Sequence, residues 1–185
     1  MAMTPRRELV LRIALRATAL IFGIVIIGVI EQNGYFKSAS NDPVEPTQCV
    51  FGGTQNHPQG NSNACKFGLA VGILALIAAI VLSAVDVGGT VVEENGGATT
   101  MLIIVADLIA SVIEGFLCLI AFAYLLDLWT KDSLPDIPSH SKSSARATIA
   151  FCFLSAIVWI VLVLLDTIRL RSLQARSAAS EYDKI

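Results

Sequence analysis

Four long apolar runs constrain what this chain can fold into. They cover residues 13–30, 67–85, 101–126 and 147–165, and charged or turn residues bound each of them. Since a helix needs about 20 mostly apolar residues to cross the hydrocarbon of a bilayer, each run is long enough to span a membrane. The sequence therefore predicts an all-α integral membrane protein with four transmembrane helices.

The composition agrees with a membrane protein and excludes several functional classes. The chain has 185 residues, of which 55% are hydrophobic and only 15% are charged, and its formal net charge is -2. A soluble domain carries about 25% charged residues, and a nucleic-acid-binding surface needs an excess of Lys and Arg. The apolar runs leave no room for a catalytic domain, and no nucleophile–base set or phosphate-binding glycine loop occurs. We therefore expect no enzyme activity, no cofactor and no nucleic-acid partner.

The Lys and Arg residues indicate which side of the membrane the chain ends occupy. They cluster around the start of the first run and after the fourth, and basic residues favour the cytoplasmic side. These residues are Arg6, Arg7, Arg12, Arg16, Arg169, Arg171, Arg176 and Lys184. The first run lacks a small-residue cleavage site, so we expect it to be a retained span. The prediction is a cytoplasmic tail over 1–12, a membrane domain over 13–172 and a second cytoplasmic tail over 173–185.

Four cysteines fall into two classes. Cys49 and Cys65 lie in one polar loop, which this orientation places outside the cytosol. An oxidising compartment would let them form a disulfide that stabilises the fold by about 3 kcal/mol; the alternative is two unpaired loop thiols. His57 lies between them, but no four-ligand metal set can be assembled. Cys118 and Cys152 fall inside spans, where we interpret them as small buried hydrophobes.

The second run carries small residues at steps of four, three, four and four. They are Gly68, Gly72, Ala75, Ala79 and Ser83. On a helix this spacing makes one nearly continuous face, and small faces allow helices to approach closely in lipid. We favour contact with another helix of the same chain, and the alternative is contact with a second copy in a homo-oligomer.

The third run contains two acids, Asp107 and Glu114, seven residues apart and hence on one helical face. An acid near the centre of a span costs about 2.5–3.5 kcal/mol to insert, so this face should point into the bundle. Asp107 lies a few residues inside the cytoplasmic end of the third span, and Arg16 lies a comparable distance inside the cytoplasmic end of the first span. We therefore predict an Arg16–Asp107 ion pair.

Three interpretations of these acids stay open. They are structural pairing, protonated buried carboxyls, and a small proton or ion conduit that uses Asp107 and Glu114. Spans two to four contain no Lys, Arg or His, no proline breaks a helix, and no inverted repeat is apparent. These features weigh against transport and favour structural pairing.

Two aromatic residues are predicted at the membrane face opposite the cytoplasmic one. Tyr124 and Trp129 come at the end of the third run. Amphipathic aromatic rings collect at the level of the lipid headgroups, where one side meets hydrocarbon and the other meets water. We interpret both residues as interface anchors.

Several ordered segments resemble a known family. They are Ile30–Tyr35 (IEQNGY), Cys49–Phe51 (CVF), Ala64–Gly72 (ACKFGLAVG), Asp86, Asp107, Trp129, Ala145–Ser155 (ARATIAFCFLS) and Trp159. Together they resemble the synaptogyrins, within the synaptophysin-like group of MARVEL-domain proteins. The chain departs from the pattern in the longer spacing between Cys49 and Cys65 and in Glu114, where an aromatic residue is expected.

The resemblance implies a MARVEL-like four-helix membrane bundle with cytoplasmic ends. It also implies residence in synaptic or synaptic-like cytoplasmic vesicles that recycle through endosomes and the plasma membrane. The implied role is non-enzymatic, in vesicle biogenesis, trafficking or regulated exocytosis. Its implied partners are the lipid bilayer and either other vesicle membrane proteins or a second copy of the chain.

The last four residues, Tyr182–Ile185, read Tyr-Asp-Lys-Ile. A tyrosine followed at the third position by a bulky apolar residue is typical of a sorting signal for a clathrin adaptor. Such a peptide binds in extended form, with Tyr182 and Ile185 in separate pockets. The alternative interpretation is an inert disordered tail.

Overall fold

The computed structural model describes residues 5–36, 48–51, 62–92, 97–131 and 139–182, and four long helices dominate them. The elements in chain order are helix α1 (Pro5–Val29), a π-helical turn (Ile30–Gly34), strands β1 (Tyr35–Phe36) and β2 (Gln48–Cys49), and helices α2 (Ser62–Val92), α3 (Gly97–Lys131) and α4 (Ser139–Tyr182). All four helices are long and apolar enough to cross a membrane. The predicted spans lie within these helices, except that the last residue of the first span, Ile30, begins the π-helical turn.

The C-terminal helix extends further than the sequence predicts. Helix α4 continues to Tyr182, so most of the predicted tail over 173–185 is helical. Residues 173–182 include three Ala and one each of Leu, Gln, Arg and Glu, all of which have high helix propensity, and no Gly or Pro interrupts them. Ile185 lies outside the described residues, as does His57.

The helices alternate in direction, and each packs against two others. Helix α1 contacts α2 and α4, and α3 contacts the same two helices. Along α3 and α4 the contacts run in opposite order: Phe122 meets Phe153, and a side chain on Gly115 would meet Trp159. As a result, the starts of α1 and α3 and the ends of α2 and α4 lie at the same end of the bundle.

The small residues of α2 face α1. A Cβ atom on Gly68 would lie only 2.9 Å from Ile30 Cδ1, and one on Gly72 would lie 3.1 Å from Ile26 Cγ2. Ala75 and Ala79 are fully buried. Gly72 thus contacts α1 and Gly68 contacts the π-helical turn that follows it. Since all four residues are buried, they offer little surface to a second copy. The partly buried Ser83 donates its hydroxyl to the carbonyl of Ala79 in its own helix.

Apolar side chains occupy both the inside and the outside of the bundle. Trp159, Leu125 and Leu162 are fully buried, whereas Leu102 and Phe116 are 72% and 64% exposed. Outward apolar side chains of this size are suited to lipid, because lipid tails are as apolar as the side chains themselves. The interior is therefore distinguished by its close packing and by the polar groups that it contains.

A short antiparallel hairpin lies at one end of the bundle. Strand β1 pairs with β2, and Tyr35 is opposite Cys49. Cys49 and Cys65 form a disulfide that joins β2 to the first turn of α2. Val50 and Phe51 are buried beside it. We call this end of the molecule the disulfide end.

Candidate functional site: a charge cluster shared by four helices

Five charged side chains meet at the end of the bundle opposite the disulfide. The cluster consists of Arg12 and Arg16 of α1, Asp86 of α2, Asp107 of α3 and Asp166 of α4. None of the five residues is more than 7% exposed. Arg12 and Arg16 are four residues apart and therefore lie on the same face of α1. We call these residues the charge cluster and this end of the molecule the cluster end.

Arg12 binds carboxylates from two other helices. Its Nη1 lies 3.1 Å from Oδ1 of Asp86, and its Nη2 donates to Oδ1 of Asp166. Asp107 Oδ2 is further away, at 3.9 Å from Nη1. Glu8, one turn earlier in α1, has its Oε1 3.9 Å from Nε at the edge of the cluster. Arg12 therefore connects α1 directly to α2 and α4.

Arg16 binds the remaining helix. Its Nη2 donates to Asp107, at 2.6 Å from Oδ1 and 2.5 Å from Oδ2. Its Nε lies 3.1 Å from Oδ2 of Asp86. Asp86 therefore lies between the two guanidinium groups. One helix holds both cations, and each of the other three helices supplies one acid.

The charges of the cluster nearly balance. Two arginines face three aspartates, and Arg169, one turn after Asp166 in α4, is close enough to Arg12 to act on it electrostatically. A buried ion is costly unless an opposite charge and hydrogen bonds replace the water that it loses. The sharing of carboxylates between guanidiniums supplies the opposite charge and part of the hydrogen bonding. Five buried atoms of the cluster have no hydrogen bond to a described residue: Arg12 Nε, Arg16 Nε and Nη1, Asp86 Oδ2 and Asp166 Oδ2. Removal of one partner would leave an uncompensated charge inside the membrane.

The arrangement is suited to holding helices together rather than to chemistry. Each carboxylate of the cluster is already paired with a guanidinium, which leaves no general base directed at a substrate. Among the described residues there is no group of three or more His, Cys, Asp or Glu placed to bind a metal ion. The cluster fixes the depth and the rotation of all four helices at one level.

The sequence analysis finds only part of this cluster. The predicted Arg16–Asp107 contact is present. In the sequence analysis, Arg12 serves only to assign the cytoplasmic side, Asp86 appears only in the family resemblance, and Asp166 is only the residue that follows the fourth run. The alternation of helix direction could have identified these three residues. Alternation brings the starts of α1 and α3 and the ends of α2 and α4 to one side of the membrane, and each of these helix ends has a charged residue.

Glu114 is not part of the cluster. It lies two turns from Asp107 and is 7% exposed. Its Oε2 atom is buried and has no hydrogen-bond partner within the described part of the chain. The structure therefore separates the two acids that the sequence analysis groups together.

The two predicted interface anchors lie toward the disulfide end. The ring of Tyr124 meets Phe67 edge-on, with 5.8 Å between the ring centres. Trp129 contacts α4 through Arg146, whose guanidinium carbon is 5.9 Å from the indole centre. Both aromatic rings are partly buried. Each therefore also joins α3 to a neighbouring helix.

The sequence is similar to a known family and to several curated proteins. The MARVEL family, described as a membrane-associating domain, matches residues 9–165. Synaptogyrin-1 of Homo sapiens is 31% identical over 146 residues, which are 78% of this chain and 58% of that protein. Synaptogyrin-2 of Bos taurus is 29% identical over 154 residues, 83% of this chain and 63% of that protein. The chain thus spans about three fifths of the length of these relatives. Asp166 follows directly after the family match, which contains the rest of the cluster.

Proposed function

Since the chain belongs to the MARVEL family of membrane-associating domains and is related to the synaptogyrins, we propose that it is a multi-pass component of vesicle membranes. Its role there is non-enzymatic, in vesicle biogenesis, trafficking or regulated exocytosis. The observation that carries the proposal is the charge cluster, in which every acid is paired within the chain. A bundle closed in this way needs no second chain to pair the buried charges of the cluster.

The proposed orientation places the cluster end in or near the cytosol and the disulfide end in the lumen. Two features support it. A disulfide persists in an oxidising compartment, which fits a lumenal position for Cys49 and Cys65. The basic residues concentrate near the start of α1 and the end of α4, and basic residues favour the cytoplasmic side.

We further propose that the segment Tyr182–Ile185 is a sorting signal for a clathrin adaptor. Tyr182 is the last residue of helix α4, and the other three residues of the segment lie outside the described part of the chain. Helix ends fray, and release of the last turn would let the segment bind in the extended form that such recognition requires. In the proposed orientation the segment is cytoplasmic, where an adaptor could reach it.

Imaging of the tagged full chain in secretory cells tests both proposals. We expect the intact protein to colocalise with recycling vesicles and Tyr182→Ala to accumulate at the plasma membrane. Asp183→Ala is the matched control, because it changes a position between the two recognised side chains. Vesicle residence that Tyr182→Ala does not change would reject the signal and keep the vesicle assignment. Stable residence of the intact chain at the cell surface or in another organelle would reject the vesicle assignment.

Partners beyond the bilayer are other vesicle membrane proteins or a second copy of the chain. Gly68, Gly72, Ala75 and Ala79 of α2 are buried within the chain, so a homo-oligomer would have to use another surface. The exposed apolar faces of α3 and α4 offer such a surface to lipid or to a neighbouring protein.

A further inference from the structure

The inward face of α3 stays polar well beyond the charge cluster. Asp107, Ser111, Glu114 and Cys118 follow one another at steps of four, three and four, and all are buried. We call these four residues the polar file. The Cys118 thiol lies 3.6 Å from Oγ of Ser155 in α4, to which it donates.

The polar file ends before it reaches the disulfide end. The next buried residues on this face of α3 are Ala121 and Leu125, and both are fully buried and apolar. A Cβ atom on Gly68 of α2 would lie 3.5 Å from Leu125 Cδ1, so α2 closely approaches the leucine. The inward face of α3 is therefore polar from the cluster end to Cys118 and apolar beyond it. Thr148 of α4 is also buried toward the disulfide end, where its hydroxyl donates to the carbonyl of Ser144 in its own helix.

Three buried polar atoms in the middle of the bundle have no hydrogen bond to any described residue. They are Ser111 Oγ, Glu114 Oε2 and Trp159 Nε1. Trp159 of α4 is at the level of Glu114, because a Cβ atom on neighbouring Gly115 would lie 3.3 Å from Trp159 Cβ. Ser111 and Glu114 lie about one turn apart on α3, and Gly115, the neighbour of Glu114, closely approaches Trp159 of α4.

Within the described ranges of the chain, no charged partner lies beside Glu114. Seven residues from the cluster along the other helices are Gly23 of α1, Ala79 of α2 and Trp159 of α4, none of which titrates. Along the interior, the nearest titratable groups are Asp107 on the cluster side and Cys118, with Cys152 of α4 near it, on the other. Since Arg16 holds Asp107, Glu114 is the first acid of the file that is not paired.

Buried polar groups without partners are costly, and proteins commonly satisfy them with internal water. A buried water needs two to four polar partners, and a hydroxyl, a carboxyl and an N–H together supply them. An ionisable side chain inside a membrane is a candidate for binding a proton. We propose that Ser111, Glu114 and Trp159 form an internal hydrated site that binds a proton, reached from the cluster end only. This inference does not depend on the vesicle role.

The two tryptophans of the chain allow a direct test. In the Trp129→Phe variant, Trp159 is the only tryptophan and reports on its surroundings by fluorescence. The full chain is reconstituted in liposomes with one orientation, selected by a tag after α4. We expect Trp159 emission to change when the pH is changed at the cluster end. We also expect brighter emission in heavy water than in ordinary water, because water contacts the indole.

Glu114→Gln in the same background removes the titrating group at almost constant volume, and it should abolish the pH response. Ser83→Ala is the matched control, because that hydroxyl already donates to a carbonyl of its own helix. It should leave the response unchanged. Emission that ignores pH, or a response that persists in Glu114→Gln, would overturn the proposal. A response to pH changed at the disulfide end would overturn one-sided access and indicate a conduit.

A second measurement covers the case in which Glu114→Gln does not fold. Dicyclohexylcarbodiimide is apolar and enters the bilayer, where a protonated carboxyl adds to its central carbon and passes its proton to a carbodiimide nitrogen. Peptide mass spectrometry of the labelled chain should find the adduct on Glu114. A water-soluble carbodiimide should instead label exposed Glu31. Absence of an adduct on Glu114 after exposure to the apolar reagent would contradict a protonated site.

Discussion

The two ends of the bundle are held together by different interactions. At the cluster end, two arginines of α1 bind one aspartate from each of the other three helices. At the disulfide end, a covalent bond joins the hairpin to α2, and aromatic contacts link α3 to its neighbours. The charge cluster connects all four helices, but it depends on the presence of every one of its charged residues. The disulfide connects fewer elements and depends on an oxidising environment.

The two kinds of interaction suit the different surroundings of the two ends. Interactions between charges strengthen when water is excluded. In a cluster buried within the span, the paired charges therefore attract each other strongly, and removal of one partner is costly. A polar loop outside the hydrocarbon gains little from ion pairs in water. A disulfide stabilises such a loop by restricting the unfolded chain, whatever the polarity around it. The loss of a cluster residue should therefore be the more damaging change.

The largest effect is expected for Arg12→Ala. It leaves Asp86 and Asp166 with less compensating charge, and a broken buried pair costs about 3–5 kcal/mol. Thermal unfolding of the purified protein in detergent should show a large loss of stability or no folded protein. Arg7→Ala, at an exposed position of the same helix, is the control and should change little.

A second substitution sharpens this prediction. In Arg12→Ala, the excess negative charge would come from the unpaired carboxylates, so Asp166→Asn in that background should recover part of the stability. If Asp166→Asn alone destabilises and the double variant shows no recovery, packing rather than charge would account for the effect of Arg12.

The next effect is expected for Cys49→Ser. Its loop closes over a sequence separation of 16 residues, for which the stabilisation is about 3 kcal/mol. The variant should unfold at a lower temperature, and reduction of the parent protein should produce a shift of the same size. Reducing agent should have no further effect on the variant. An unchanged unfolding temperature would show that the remaining contacts suffice to hold this end.

The sequence predicts one end of the molecule better than the other. The Cys49–Cys65 disulfide follows from two cysteines in one polar loop. The Arg16–Asp107 contact follows from the depth of each residue in its span. The contacts of Arg12 require the rotation of all four helices, which the packing of residues such as Gly72 and Gly115 decides. The sequence pattern cannot show these rotations, because each helix carries apolar side chains on nearly all of its faces and none of them stands out as the inward one.

The smallest effect is expected for Arg146→Ala, which removes the cation above Trp129 at the disulfide end. An exposed cation–π contact contributes about 0.5–1 kcal/mol, well below the disulfide. Arg146→Lys keeps the charge but not the planar group, and it should retain part of the stability. A comparison of the unfolding temperatures of these two variants with that of Trp129→Phe measures the contribution of the contact to stability. If Arg146→Ala destabilises the protein as much as Cys49→Ser, the aromatic contacts rather than the covalent bond would hold α3 and α4 together at this end. The two ends would then both depend on an arginine that connects helices, and the contrast between them would be one of depth in the membrane rather than of bond type.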